Sequence, residues 1–142
     1  MIDRYLGRFS NEIYALLRIV SGFLFLLHGT QKLLGFPASG RPGAPMSAMM
    51  TAAGVIEIFA GLMIMIGFFA SLAAFIASGE MAVAYFTVHQ PNGALPIQNG
   101  GEPAALFAFI FLYIAARGSG IWSVDSLLSG DRGASGTRPV DV

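Results

Sequence analysis

Arg18, His28, Lys32, Glu57 and Glu80 are ionisable side chains set within or beside long apolar stretches, where acid–base chemistry or a polar binding site would need them. The two glutamates carry the strongest signal. They stand inside an otherwise uncharged run from about Met46 to Val88, at equal distances from its midpoint near Phe68 and Phe69. At about 1.5 Å per residue this run would make a helix roughly twice the ~30 Å hydrocarbon thickness of a bilayer, so it should fold back near Gly67-Phe68-Phe69-Ala70-Ser71. Both carboxyls then arrive at one depth. A charged carboxylate in lipid costs at least a few kcal/mol, so each should face a protein interior, find a cation or hydroxyl, or keep its proton. Glu80 could be the protonated partner of Glu57, because two carboxyls sharing a site do not readily both ionise.

Helical periodicity adds the basic groups. Arg18, Ser21, Gly22, Phe25, His28, Gly29 and Lys32 recur at steps of three and four, which places them on one stripe. Gly54, Glu57 and Gly61 form a second such stripe, and Ala73, Ala77, Glu80 and Ala84 a third. Small and polar residues on a lipid-soluble helix should face other helices, so the three stripes are expected to meet on a common axis. Counting rises puts the glutamates near the level of Leu24 or Phe25, with Arg18 roughly 10 Å to one side of them and His28 about 5 Å to the other. A structural ion-pair or hydrogen-bond network is weighed evenly against a ligand or proton site for Glu57 and Arg18.

The elements that must position these groups are four spans, at about 13–34, 47–66, 70–88 and 103–116. Glu102-Pro103 suits the start of the last one and Gly118 its end, although a run of about 14 apolar residues is short for a span. No cleavable signal peptide is expected, since His28-Gly29-Thr30-Gln31-Lys32 follows the first apolar run. Arg4, Arg8 and Arg18 precede or open the first span, Arg117, Arg132 and Arg138 follow the fourth, and Lys32 and Arg41 lie on the other side. The positive-inside rule then puts both termini in the cytoplasm. The fold class is an all-α membrane protein, a four-transmembrane-helix bundle over residues 1–128, with a disordered cytoplasmic tail over 129–142.

The arrangement Leu17-Arg18-Ile19 with His28-Gly29-Thr30-Gln31-Lys32-Leu33, and then Gly54-Val55-Ile56-Glu57 with Gly61 and Gly67, resembles the DoxX family of small bacterial membrane proteins. Its likeness continues through His89, Gly100-Gly101-Glu102 and Gly118-Ser119-Gly120-Ile121-Trp122-Ser123-Val124-Asp125. The resemblance implies a four-helix fold in the cell (cytoplasmic or inner) membrane. Some members of the family resemble the membrane subunit of thiosulfate:quinone oxidoreductases, and others are linked to oxidative-stress complexes.

Composition limits the function classes. At 55% hydrophobic and 11% charged residues, with no net charge, the chain has the make-up of a membrane protein and lacks the basic footprint that nucleic-acid binding needs. Having no cysteine, it has no thiol catalysis, thiolate metal site or iron–sulfur ligation of its own. There is no nucleotide loop, Ser-His-Asp arrangement or dinucleotide fingerprint, which argues against an autonomous hydrolase or dehydrogenase. The expected role is therefore a non-autonomous subunit of an oxidoreductase or oxidative-stress complex, in which Arg18, His28, Lys32, Glu57 and Glu80 bind a quinone head group or relay its protons. The alternative is a membrane scaffold or small-solute carrier. A haem between His28 and His89, the only histidines, is disfavoured, because one lies within a span and the other in or beside a loop with no supporting motif. Metal binding by Glu57, Glu80 and His28 is disfavoured too. The expected partners are the lipid bilayer, a redox subunit and further copies of this chain.

Overall fold

The computed structural model describes residues 1–38 and 45–133. Among them every regular element is helical. α1 (Ile2–Gly7) and α2 (Ser10–Leu34) are followed by α3 (Ala48–Ile66) and α4 (Ala70–Ala84), which runs on through a π turn at Tyr85–His89 and a 3₁₀ turn at Gln90–Asn92. The short α5 (Pro96–Asn99) leads into α6 (Glu102–Arg117), and α7 (Val124–Gly133) ends the described chain. Three helical segments are long and apolar enough to cross a membrane: Ser10–Leu34, Ala48–Ile66 and Ala70–Asn92. α6 falls short of that length at 16 residues, yet it packs against α4 as the fourth long helix of the bundle. α7 carries helix into the first residues of the segment expected to be disordered; residues 134–142 of that segment, Arg138 included, lie outside the described residues, as does Arg41.

The helix limits have local causes. Ser47 caps α3, its Oγ accepting from the Met50 backbone N–H at 3.2 Å. Gly67 ends α3 with φ of 70°, the left-handed conformation that glycine adopts without penalty, and α4 starts three residues later. Glu102 and Pro103 open α6, while Arg117 lies in its last turn beside the partial negative charge of the helix end.

Packing is uneven around the bundle. α2 lies closest to α3, α4 is paired with α6, and the contact between α3 and α4 is lighter. Glycines set the first pairing: a Cβ added at Gly22 would lie 2.6 Å from the Met65 nitrogen, and one at Gly61 would lie 2.6 Å from the Leu26 nitrogen. The two backbones touch there, as expected from small residues on facing stripes. Ala73, Ala74 and Ala77 of α4 are buried in one core with Ala104, Phe111 and Ile114 of α6, and Ser78 Oγ donates to the Ala108 carbonyl at 2.7 Å. Phe25, Phe111 and Ile64 fill the middle, with the rings of Phe25 and Phe111 4.7 Å apart edge to face.

Candidate functional site

The predicted polar residues separate into two groups at opposite ends of the bundle. One end carries the beginning of α2, the α3–α4 turn and the chain after α6. There Arg18 is fully buried, and its guanidinium donates to four backbone carbonyls: Ile64 at 2.7 Å, Met65 at 2.8 Å, Trp122 at 2.7 Å and Ile121 at 3.3 Å. The first two are carbonyls of the last turn of α3, which lack the regular i+4 partner, although Ile64 also accepts from the Gly67 N–H at 3.2 Å. Arg18 therefore ties α2 to the end of α3 and to the segment after α6, and it does not join the other candidate site residues.

Asp125 completes this closure. Its carboxylate accepts from the Phe69 N–H at 3.1 Å and from the Ser119 hydroxyl, while its own N–H donates to the Gly67 carbonyl at 3.0 Å. Tyr14 adds a hydroxyl bond to the Gly118 carbonyl. Gly67 has to be glycine for a second reason, since a Cβ there would meet Ser123 at 2.3 Å and Arg18 at 2.8 Å. The Gly118–Asp125 segment is thus a plug that turns the loose end of α6 into a fixed contact with the α3–α4 turn.

At the other end, His28, Lys32, Glu57 and Glu80 line one cavity of about 630 Å³, walled by the end of α2, the start of α3, the second half of α4 and the start of α6. Lys32 Nζ and Glu57 Oε1 form an ion pair at 2.6 Å; the Glu57 side chain is 2% exposed and that of Lys32 31%. Glu57 Oε2 and both Glu80 carboxyl oxygens are buried without a hydrogen-bond partner. An ionised Glu80 would be a buried, unpaired charge, so the carboxyl either carries a proton or is met by a bound donor. The His28 ring stands edge-on to Phe107, with centroids 6.2 Å apart.

The rest of the lining is mostly apolar. Met49 and Met50 on α3 and Ile76 and Val83 on α4 line the cavity and are also exposed on the bundle surface, so among the described residues it opens sideways between α3 and α4. The packing of α3 on α4 is lighter there than that of α2 on α3 or of α4 on α6.

His89, one of the residues of the family resemblance and a disfavoured haem candidate, belongs to the same cavity. It lies nine residues after Glu80, about two and a half α-turns, which in a regular helix would put it on the opposite face. The π turn at Tyr85–His89 widens the helix and brings it round. Its Nδ1 faces the Asn99 carbonyl at 3.2 Å. Asn99 is held in turn by donating to the Gly93 carbonyl at 2.9 Å and accepting from the Gly101 N–H at 2.8 Å. The available signal was Glu80, Ala84 and Thr87, spaced as one helical face, all of which line the cavity. No cluster of three or more His, Asp or Glu placed to hold a metal is found among the described residues.

Comparison with known proteins places this architecture. The DoxX family model matches residues 13–90, which span α2, α3, α4 and the π turn that brings His89 to the cavity. The chain belongs to the DoxX family. A protein of Haemophilus influenzae described as uncharacterized is 44% identical over 126 residues, covering 85% of this chain and 94% of its own length. No solved structure matches. The Arg18, His28-to-Lys32 and Glu57 features of this DoxX protein fall within the matched region, whereas the Gly118–Asp125 plug lies beyond it.

Proposed function

We propose that this DoxX protein is the membrane subunit of an oxidoreductase or oxidative-stress complex and that its cavity takes the polar head of a lipid-soluble quinone. One observation carries the reading: the buried carboxyl oxygens of Glu80 and Glu57 Oε2 have no partner and belong to residues lining a cavity whose rim carries the exposed apolar Met49, Met50, Ile76 and Val83. An amphipathic molecule fits that shape, with its head among Lys32, Glu57, Glu80 and the histidines and its tail leaving between Met49, Met50, Ile76 and Val83. Carboxyl and imidazole groups beside the head are suited to exchanging protons when a quinone changes state. The electrons would come from a partner subunit, because this chain has no cysteine for thiol or iron–sulfur chemistry.

In this reading α6 is the fourth span, both termini are cytoplasmic and the protein resides in the inner membrane, with the cavity toward the outer side. The distribution of Arg4, Arg8 and Arg117 at the plug end supports that orientation.

The test is mass spectrometry of the protein extracted with its native lipids. A stoichiometric quinone retained by the wild type is expected. Protein that carries no quinone and gains no thermal stability from added short-tailed quinone would overturn the reading.

The Lys32–Glu57 pair favours a second reading, a scaffold in which these charges join α2 to α3 without binding anything. In that case Glu57→Gln would fail to assemble, and Glu80→Gln would be silent.

A further inference from the structure

Hydrogen-bond donors and acceptors are unequally supplied at the cavity. The buried polar atoms lining it that lack a partner are carboxyl oxygens, namely Glu57 Oε2, Glu80 Oε1 and Glu80 Oε2. His89 adds a fourth acceptor. A backbone carbonyl can only accept, so the Asn99 oxygen holds a proton on Nδ1, and the tautomer this selects has its lone pair on Nε2. On the donor side stand Lys32, which already gives one N–H to Glu57 Oε1 and is partly exposed at the rim, where water can take the others, and one N–H of the His28 ring, a single donor against the three carboxyl oxygens.

We infer that the cavity is matched to the hydroxyl-bearing, reduced state of a ring headgroup, a hydroquinone, in preference to the quinone. The inference rests on the quinone reading above and sharpens it. A quinone ring offers carbonyl acceptors alone. It could be met by Lys32 or by a proton on Glu80, but Glu57 Oε2 and one Glu80 oxygen would stay buried and unpaired, which is costly in a site of low dielectric. A hydroquinone brings two O–H donors to the same place and satisfies those oxygens. Its apolar tail leaves by the same lateral opening, so the two states differ only at the head.

The experiment compares a benzoquinone bearing a ten-carbon tail with the hydroquinone made from it. Each is dialysed to equilibrium, without oxygen, against the full-length protein in lipid nanodiscs, with empty nanodiscs to correct for partition into lipid. At least ten-fold tighter binding of the hydroquinone is expected. For this two-electron couple, ten-fold corresponds to an upward shift of about 30 mV in the midpoint potential of the bound ring, read by potentiometric titration. Glu80→Gln exchanges an acceptor for a donor in the same volume, and should cut the preference to about three-fold or less. Equal affinities, or tighter binding of the quinone, would overturn the inference and leave the quinone site standing. Binding of neither form would overturn both. Because the ratio is measured on the wild type, the outcome does not depend on whether the variant folds.

Discussion

A single side chain's direction decides whether it serves the cavity or the plug. In a helix every Cα–Cβ bond leans toward the N-terminus, so on α2 both Arg18 and Lys32 lean back toward the plug end. For Lys32 that lean carries the ammonium inward to Glu57, twenty-five positions away in sequence. For Arg18 it carries the guanidinium away from the glutamates to the end of α3. The spacing of the stripe gave the depth of each residue and hence the cavity cluster, but depth alone could not say which way Arg18 reaches. Two expectations follow. Lys32→Met leaves Glu57 buried without its partner, and the loss should sit near the lower end of the roughly 3–5 kcal/mol typical of a broken buried pair, because Lys32 is partly exposed. Pairing it with Glu57→Leu should recover most of that loss, as measured by unfolding in mixed micelles followed through Trp122, the only tryptophan. Arg18→Lys should also destabilise, since an ammonium cannot reproduce a planar fork that meets four carbonyls, while quinone affinity per folded molecule stays unchanged.

Between elements, the bundle depends on which helix faces can come together without side chains in the way. Gly22 and Gly61 hold α2 and α3 at backbone contact, so Gly61→Val must push the helices apart or fail to fold. Gly79 is the control: it lies on the exposed side of α4, and nothing stands within 4 Å of an added Cβ. Gly79→Ala is therefore expected to be neutral or to stabilise by up to about 1 kcal/mol through helix propensity, whereas Gly61→Val lowers the yield of folded protein sharply. Size-exclusion recovery and thermal midpoints of the two variants check this. These faces were legible because small residues at helical spacing have few other uses in lipid. The role of Gly118–Asp125 as a plug is not legible in the sequence, since its bonds join positions some fifty to a hundred residues apart and no periodicity marks them. The cavity's extent was hidden for a related reason. The π turn breaks the regular period just where His89 enters, so counting at 3.6 residues per turn assigns that histidine to the wrong face.

For the whole molecule, the open quantity is how the bundle sits in the bilayer, and α6 decides it. Three segments have the length and hydropathy of spans, and α6, at 16 residues, would extend about 24 Å against a hydrocarbon core of about 30 Å. A short helix can still cross if the bilayer thins around it or its flanking residues reach the interface, each at modest cost. Arg117 and Tyr113, hydrogen-bonded at 2.8 Å at one end of α6, and Glu102 at the other are groups of that kind. The alternative, α6 lying along the surface, would leave Phe111 and Ile114 unburied, and they are the residues that close the core against Phe25 and α4. The chain has no cysteine, so single cysteines can be introduced without background. Gln98→Cys and Ser129→Cys flank α6. With four spans and both termini inside, a membrane-impermeant maleimide added to spheroplasts should label Gln98→Cys at once and Ser129→Cys only after the membrane is permeabilised. Asn92→Cys, at the end of the third span, should behave like Gln98→Cys. If the Gln98 and Ser129 variants label together under either condition, α6 does not cross, the termini lie on opposite sides, and the cavity's rim no longer faces the side assigned to it.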